Sequence, residues 1–262
     1  MSDGTPIPGA VLGNMPNLRL VACFSTGYEG IDTAALRARG ISLTTAAGVN
    51  AHDVADHAVA LMLAGWNGIL ESNTDLRAGR WRAARAPRRS LRGRRAGIVG
   101  FGRIGSAIAA RLAPHELSIA WYGPAPKPHV PYPRTADLRS LAQASDVLFV
   151  ASRATESNRH LIDALIIDSL GPQGLLVNVS RGVLVDEDAL IASLKAGRLG
   201  GAALDVFEDE PTPAERWRDV PNVVLTPHIA GYTQEAGPAM MERLAENVRR
   251  HFAREPLLTP AW

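Results

Sequence analysis

The sequence predicts an α/β protein with a doubly wound parallel sheet, because short apolar runs alternate with helical patterns over most of its length. Such alternation is typical of a parallel sheet that helices cover on both faces. A glycine-rich turn between one of these runs and the next helix supports the same fold class. The strands of the sheet are predicted at residues 96–100, 118–122, 146–151, 175–179, 201–206 and 222–225.

A smaller α/β unit precedes this sheet. Residues 18–25 and 41–45 are predicted as strands, and residues 31–39 as the helix between them. Asn50 is a candidate N-cap for a long helix predicted from about residue 51 to 77, where apolar residues recur at helical spacing. The chain is therefore expected to hold two unequal domains.

Three glycines form a G-x-G-x-x-G run between the first predicted strand of the sheet and a helix of small residues. Gly100 permits a tight turn, Gly102 lets the backbone approach phosphate groups, and Gly105 lets the helix pack closely on the strand. The spacing alone also occurs in ordinary loops, but the flanking strand and helix favour a Rossmann-type pyrophosphate site at a helix N-terminus. The dinucleotide-binding residues predicted in this turn are Gly100, Gly102, Arg103, Ile104 and Gly105.

The composition is that of a globular protein, with 46% hydrophobic and 21% charged residues among 262. Cys23 is the only cysteine, so an internal disulfide and a thiolate metal cluster are excluded, and no metal is expected. The first six residues lack the basic and apolar regions of a signal peptide, and the most apolar stretch, 58–66, is too short to span a bilayer. We therefore expect a soluble cytoplasmic protein.

Arginines are concentrated between residues 77 and 95, although the formal net charge is only +2. Such a cluster can bind the phosphates of a nucleic acid, and that alternative predicts steeply salt-dependent binding. Aromatic stacking partners for bases are nearly absent from the segment, where Trp81 stands alone. A solvated connecting arm is therefore favoured, and neither nucleic acid nor a membrane is expected as a partner.

Chemically distinct side chains follow three strands of the predicted sheet. Arg181 comes just after one strand, Glu210 after the next, and His228 after the last, where the preceding Pro227 restricts the backbone. Ligands of such sheets bind beyond the carboxyl ends of the strands. Each residue taken singly could be structural or half of a surface ion pair. Together with the glycine turn, they favour a site beside a bound dinucleotide.

With these motifs the chain resembles the D-isomer-specific 2-hydroxyacid dehydrogenases, most closely their hydroxypyruvate and glyoxylate reductase branch. The resemblance runs from about residue 17 to the C-terminus. Its motifs are residues 25–32, 48–50 and 53–58, the glycine turn and the three strand ends.

The resemblance implies a domain organisation. Residues 51–231 would form the dinucleotide-binding domain, with a dimerisation helix and arm, so a homodimer is expected. Residues 1–50, completed by about 232–262, would form a smaller, flavodoxin-like substrate-binding domain. That domain is expected to be truncated, because relatives begin with a further segment that supplies its first strand and helix.

By resemblance, Arg181, Glu210 and His228 are the catalytic set. When a 2-keto acid is reduced, negative charge develops on the keto oxygen and a proton must arrive there. His228 can supply that proton, and a neighbouring Glu210 would raise the pKa of His228 and orient its ring. Arg181 carries forked donors that suit the substrate carboxylate.

Other polar groups receive further expectations. By resemblance, the amides of Ser25, Thr26 and Gly27 hold the other side of the substrate carboxylate, and Asp205 binds the nicotinamide carboxamide. Glu208 and Asp209 are expected to be solvated. The remaining histidines are expected to be surface or packing residues: His52, His57, His115, His129, His160 and His251.

The end of the second strand of the sheet bears on which nicotinamide cofactor is used. NAD enzymes usually carry an acid there, roughly 20 residues beyond the glycine turn, which binds the ribose 2′-hydroxyl. This chain has Gly123 and Pro124 instead, and Pro124 stands where the reductase branch often has an arginine. Lys127 and Arg153 are candidate contacts for a 2′-phosphate, although both could equally be solvated. NADP(H) is favoured, and NAD(H) is admissible.

Two other functions fit parts of the pattern. The resemblance extends to non-catalytic dinucleotide-binding regulators of the corepressor type, and a shortened substrate domain also fits a truncated inactive homologue. The intact catalytic set favours an enzyme. We predict an oxidoreductase that reduces a small 2-keto acid, such as hydroxypyruvate or glyoxylate, to the D-2-hydroxy acid by hydride transfer from NAD(P)H.

Overall fold

The structure is a computed structural model that describes residues 7–85 and 87–262. It divides into two compact units, one formed by the chain up to Asn50 together with Tyr232–Trp262, and the other by Ala51–Gly231. The strands are β1 (Leu20–Ala22), β2 (Ser42–Thr44), β3 (Arg95–Val99), β4 (Ser118–Tyr122), β5 (Val147–Val150), β6 (Leu175–Asn178), β7 (Gly201–Leu204) and β8 (Val223–Leu225). The expectation about a signal peptide concerns the first six residues, which lie outside the described residues.

The helices have these bounds: α1 (Gly9–Gly13), α2 (Thr33–Ala38), α3 (Ala51–Asn67), α4 (Ile69–Arg77), α5 (Trp81–Ala84), α6 (Arg103–Leu112), α7 (Leu138–Gln143), α8 (Ala164–Leu170), α9 (Glu187–Lys195), α10 (Ala214–Trp217) and α11 (Ala236–Ala253). Among the described residues, none of these helices combines the length and the apolar character needed to cross a membrane.

The larger unit is built on a parallel sheet in the strand order β4-β3-β5-β6-β7-β8. Strand β4 lies on one side of β3, and every later strand lies on the other side. The order of the strands therefore reverses between β3 and β5, and doubly wound sheets bind their ligands at such a point. The predicted fold class, a Rossmann-type doubly wound sheet, is confirmed.

Both faces of this sheet are covered. Strands β5, β6 and β7 are buried over their whole length. On one face Phe149 packs in a core with Met62 of α3 and Ile108 of α6, whereas on the other face Leu148 packs in a core with Leu141 of α7. Burial on both sides explains why these strands are continuous apolar runs in the sequence.

The prediction of a single long helix over residues 51–77 is wrong, because the structure contains two helices there. α3 ends at Asn67 and α4 begins at Ile69, and between them Gly68 adopts the left-handed conformation with φ 55° and ψ 46°. A left-handed residue interrupts a right-handed helix, and glycine adopts that conformation at little cost. The apolar spacing on which the prediction rested does not reveal this break.

The smaller unit pairs β1 and β2 in parallel, in the register Leu20↔Ser42. Both strands are shorter than predicted. The C-terminal segment joins this unit, because Thr44 donates its hydroxyl to the carbonyl of Thr259 at 2.8 Å and Ala261 donates its N–H to Leu43 at 2.9 Å. These bonds tie the two ends of the described chain into one unit.

The arginine-rich arm is attached to the larger unit through several of its own side chains. Arg89 pairs with Asp146 at 3.3 Å and lies over the ring of Trp66 at 4.8 Å, and Arg95 pairs with the same Asp146 at 3.2 Å. These contacts support the interpretation of the arginine-rich segment, residues 77–95, as a connecting arm. The expectation that nucleic acid is not a partner stays a prediction.

Candidate active site

The glycine turn joins β3 to α6 at the point where the strand order reverses. Gly100 has φ 88°, and a Cβ atom there would overlap the backbone of Ser152, which follows β5. A Cβ at Gly105 would overlap the carbonyl oxygen of Gly100. These two positions therefore require glycine for the tight turn and for close packing.

The same turn fits the pyrophosphate of a dinucleotide. A Cβ at Gly102 would meet nothing within 4 Å, so the backbone there faces open space. The first turn of α6 carries no acidic residue and its N-cap makes no side-chain hydrogen bond, which leaves its N–H groups suited to an anion. Within the described chain, the Oγ atom of Ser152 is buried without a hydrogen-bond partner at this edge of the sheet.

His228 and Glu210 are joined at the ends of the last two strands. Nδ1 of His228 lies 2.6 Å from Oε2 of Glu210, and the other oxygen, Oε1, accepts the N–H of Phe207 at 2.9 Å. The N–H of His228 donates to the carbonyl of Asp205 at 2.7 Å, and its φ is 54°. Both side chains of the pair are more than one third exposed.

The contact between His228 and Glu210 shifts the pKa of each side chain towards its charged form. The hydrogen bond with Glu210 raises the pKa of His228 above its usual value, and this effect exceeds the opposing ones of burial and of the nearby Arg181 charge. Burial alone would raise the pKa of Glu210, but the hydrogen bonds from His228 and from the Phe207 amide outweigh it, and the pKa is lowered. Both shifts favour an imidazolium beside a carboxylate.

Asp205 supports the loop that carries His228. Its side chain is 1% exposed, and its oxygens accept the hydroxyl of Thr226 at 2.6 Å and the amides of Ile229 and Ala230 at 3.0 and 2.8 Å. Burial opposes ionisation, yet these bonds and His57 lower the pKa of Asp205. The nicotinamide contact expected for Asp205 stays a prediction.

His57 is more than a surface or packing histidine, and that expectation needs correction. From α3, its Nε2 lies 2.9 Å from Oγ1 of Thr226 and 3.5 Å from Oδ1 of Asp205. It therefore belongs to the polar network beneath the loop of His228. The sequence separates His57 from Thr226 by 169 positions, so no local signal links them.

Arg181 is brought to this pair by a close backbone contact. A Cβ at Gly182 would overlap the carbonyl group of Phe207, so the loop after β6 lies directly on the loop that carries Glu210. Nη1 of Arg181 donates to the carbonyl of Ser180 at 2.7 Å. The guanidinium is near enough for its charge to lower the pKa of both Glu210 and His228. Gly182 is a positioning residue that sequence reasoning missed, although it follows Arg181 directly.

Glu208 is held in an ionic cluster, and the expectation that it is solvated is wrong. Its carboxylate pairs with Arg159 at 2.9 Å and with His160, and its N–H donates to the buried Glu187 at 2.6 Å. His160 is thus also a hydrogen-bond partner of Glu208. These contacts anchor the loop two residues before Glu210, whereas Asp209 is exposed as expected.

The expected cofactor and substrate contacts lie on loops. Nζ of Lys127 donates to the carbonyl of Phe101, within the glycine turn, at 2.8 Å. Arg153 is exposed after β5. In the smaller unit, Ser25 donates its hydroxyl to the carbonyl of Gly27 at 2.8 Å. The roles predicted for the cationic side chains and for residues 25–27 stay predictions.

The fold agrees with comparisons to known proteins. A family model described as "D-isomer specific 2-hydroxyacid dehydrogenase, NAD binding domain" matches residues 59–230. The chain belongs to this family. As a D-2-hydroxyacid dehydrogenase, it is an NAD(P)-dependent oxidoreductase that reduces a 2-keto acid.

Several relatives of this dehydrogenase match it over nearly its whole length. Glyoxylate/hydroxypyruvate reductase A HPR2 of Arabidopsis thaliana is 41% identical, over 95% of this chain and 80% of its own. The 2-ketogluconate reductase of Gluconobacter oxydans is 36% identical, over 98% of this chain and 83% of its own.

A solved structure extends the comparison to three dimensions. The NADPH-dependent glyoxylate/hydroxypyruvate reductase of Sinorhizobium meliloti, in complex with NADP and malonate, superposes with a TM-score of 0.90 at 38% identity, over 98% of this chain and 81% of its own. The resemblance inferred from the sequence motifs is confirmed at the level of the family.

Proposed function

We propose that the protein reduces glyoxylate, hydroxypyruvate or a similarly small 2-keto acid to the corresponding 2-hydroxy acid, in the D configuration where that product is chiral, with NADPH favoured over NADH. The observation that carries this proposal is the 2.6 Å contact between Nδ1 of His228 and Glu210. It leaves Nε2 as the acidic atom, and within the described residues Nε2 makes no hydrogen bond. Reductases for these acids among the relatives support the substrate class.

His228 is the proton donor of the proposed reaction. When bound, the reduced nicotinamide supplies a hydride to the keto carbon, and negative charge develops on the keto oxygen. Nε2 of His228 then gives its proton to that oxygen, because Nδ1 is held by Glu210. The raised pKa of His228 favours the protonated imidazole and so favours its role as the proton donor.

Arg181 binds the substrate carboxylate and polarises the carbonyl. A guanidinium keeps its charge at any pH the protein meets, and its forked donors match a carboxylate. The close contact of Gly182 with the backbone of Phe207 brings the loop of Arg181 against the loop of Glu210, which supports this role. We propose that the amides of Ser25, Thr26 and Gly27 also bind the substrate carboxylate, and that Asp205 contacts the nicotinamide carboxamide.

The decisive experiment is a panel of 2-keto acids assayed separately with NADPH and NADH. Oxidation of NADPH with glyoxylate or hydroxypyruvate, and a D configuration of the glycerate product, is the expected result. Tight binding of the dinucleotide without turnover of any 2-keto acid would instead support the corepressor-type regulator. Absence of dinucleotide binding would indicate an inactive homologue.

We also propose that the protein is a cytoplasmic homodimer. The arm and the helix before it expose large apolar side chains, among them Ile69, Leu76 and Trp81, each at least half exposed. Such a cluster is typical of a surface that another chain covers. Light scattering with size-exclusion chromatography tests the assembly: a mass of twice 27.9 kDa is expected, and a monomer at micromolar concentration would contradict it.

A further inference from the structure

The loop after β4 places a second cation at the end of that strand. Arg134 lies 12 residues beyond Tyr122 in sequence, yet its Nε and Nη2 atoms both donate to the carbonyl of Gly123, at 3.1 and 2.8 Å. The guanidinium therefore stands directly after β4, beside Pro124.

The backbone of Arg134 is held as firmly as its side chain. The segment around it runs along the free edge of β4, where Trp121 donates its N–H to Pro133 at 3.0 Å and accepts the N–H of Thr135 at 2.9 Å. The guanidinium also lies 6.0 Å from the ring centre of Trp121. Because its backbone and its guanidinium are both held in place, Arg134 loses little conformational entropy when it binds an anion.

The charge of Arg134 is not neutralised nearby. Residues 123–136 contain no aspartate or glutamate. The first acid after them, Asp137, caps α7 by accepting the N–H and the hydroxyl of Ser140 at 2.8 and 2.7 Å. Within the described residues, Arg134 forms no ion pair, and its Nη1 makes no hydrogen bond. An exposed fork without a carboxylate can accept an external anion.

Lys127 brings a second positive charge to the same edge. Its Nζ atom binds the carbonyl of Phe101 at 2.8 Å, and the parallel register pairs Val99 with Tyr122. The glycine turn and the end of β4 are therefore neighbours. Within the described part of the chain Lys127 forms no ion pair either. The adenosine ribose of a dinucleotide bound at such a turn lies over this strand end.

We infer that Arg134 and Lys127 together bind the 2′-phosphate of NADPH, with Arg134 as the main determinant. The inference rests on the proposed function only for the dinucleotide ligand, and it adds the residue that selects it. A 2′-phosphate is a dianion, which a fixed guanidinium fork and an ammonium group bind in complementary ways. NADH offers a neutral hydroxyl at the same place, so these cations contribute little to its binding.

The test compares two adenosine ligands that lack the nicotinamide, so it needs no turnover. Adenosine 2′,5′-bisphosphate and 5′-AMP are titrated by calorimetry into the wild-type protein and into Arg134→Gln, Arg134→Lys and Lys127→Gln. Arg134→Gln should weaken binding of the bisphosphate about tenfold or more and leave that of 5′-AMP unchanged. Arg134→Lys should lie between, because it keeps the charge and loses the fork.

The matched control is Arg139→Gln, which removes an exposed arginine from α7 five positions further on. It should leave both affinities unchanged. Equal weakening of both ligands by Arg134→Gln, an unchanged preference for the bisphosphate, or the same effect from Arg139→Gln would overturn the inference. Unchanged thermal unfolding of Arg134→Gln shows that the fold is intact. A failure of keto-acid turnover alone would contradict the proposed function and leave this result standing.

Discussion

Oε2 of Glu210 lies 2.6 Å from Nδ1 of His228, while Oε1 of the same carboxylate accepts the N–H of Phe207 at 2.9 Å. One carboxylate thus orients the imidazole and is itself oriented by its own loop. This arrangement directs Nε2 of His228 away from Glu210, and it is the reason for expecting a defined proton donor.

Glu210→Gln should move the alkaline limit of keto-acid reduction to lower pH. The pKa of His228 lies above 6.5, so the wild-type imidazole stays protonated past pH 6.5 and loses its proton only as the pH rises through the raised pKa. The hydrogen bond with Glu210 is the largest cause of that shift, and glutamine removes its charge. The pH profile of kcat/KM measures the effect, and an unmoved alkaline limb would contradict the role of Glu210.

The same pair should contribute to stability in a defined pH range. Because the folded-state pKa of His228 is raised, its contribution is fully present below pH 6.5 and is lost as the pH rises through the raised value. Urea unfolding of the wild type and of Glu210→Gln at pH 6 and pH 9 should therefore show a larger difference at pH 6. An equal difference at both pH values would argue against the coupling.

His228→Ala should lower kcat by about a hundredfold to ten-thousandfold and leave dinucleotide binding nearly unchanged, because it removes the general acid alone. Stopped-flow turnover and fluorescence titration with NADPH separate the two effects. His115→Ala is the control, since His115 precedes β4 at the amino edge of the sheet. Full turnover by His228→Ala would identify another proton donor.

Gly102→Val should mainly weaken dinucleotide binding, whereas Gly105→Ala should mainly lower stability. A side chain at Gly102 points into open space, so valine should weaken dinucleotide binding tenfold or more, and its poor fit as the N-cap of α6 should cost only about 1 kcal/mol of unfolding free energy. A methyl group at Gly105 would overlap the carbonyl of Gly100, so alanine should cost about 1–3 kcal/mol of stability. Calorimetric binding and urea unfolding measure the two. A stable Gly105→Ala variant would contradict the tight packing of the turn.

Gly182→Ala should damage catalysis through Arg181. The added methyl would overlap the carbonyl group of Phe207 and push the loops of Arg181 and Glu210 apart. KM for the keto acid should rise and kcat should fall, about tenfold or more in kcat/KM, because both binding and alignment of the carboxylate are disturbed. Gly13→Ala, at the end of α1, is the control, because a Cβ there meets nothing within 4 Å and the φ of Gly13 is not positive. A kcat/KM equal to that of the control would show that the contact is unimportant.

Local patterns were sufficient for the fold class and for the main candidate residues. Alternating apolar runs predicted the parallel sheet, since a strand that is buried on both faces must be apolar throughout. The strand ends then located Arg181, Glu210 and His228, because parallel strands place their carboxyl ends at one edge. The break at Gly68 was not predicted, because a single left-handed residue leaves the helical spacing of apolar side chains almost intact.

The sequence by itself determined the sheet, the glycine turn and the three residue types that meet above it, because each depends on neighbours within a few positions. Only the tertiary structure decided which side chains support them. His57 meets Thr226 across 169 positions, and Glu208 meets His160 across 48. Arg134 returns to Gly123 only because its segment pairs with β4. Such contacts arise from packing between distant segments, and no local pattern of residue types encodes them.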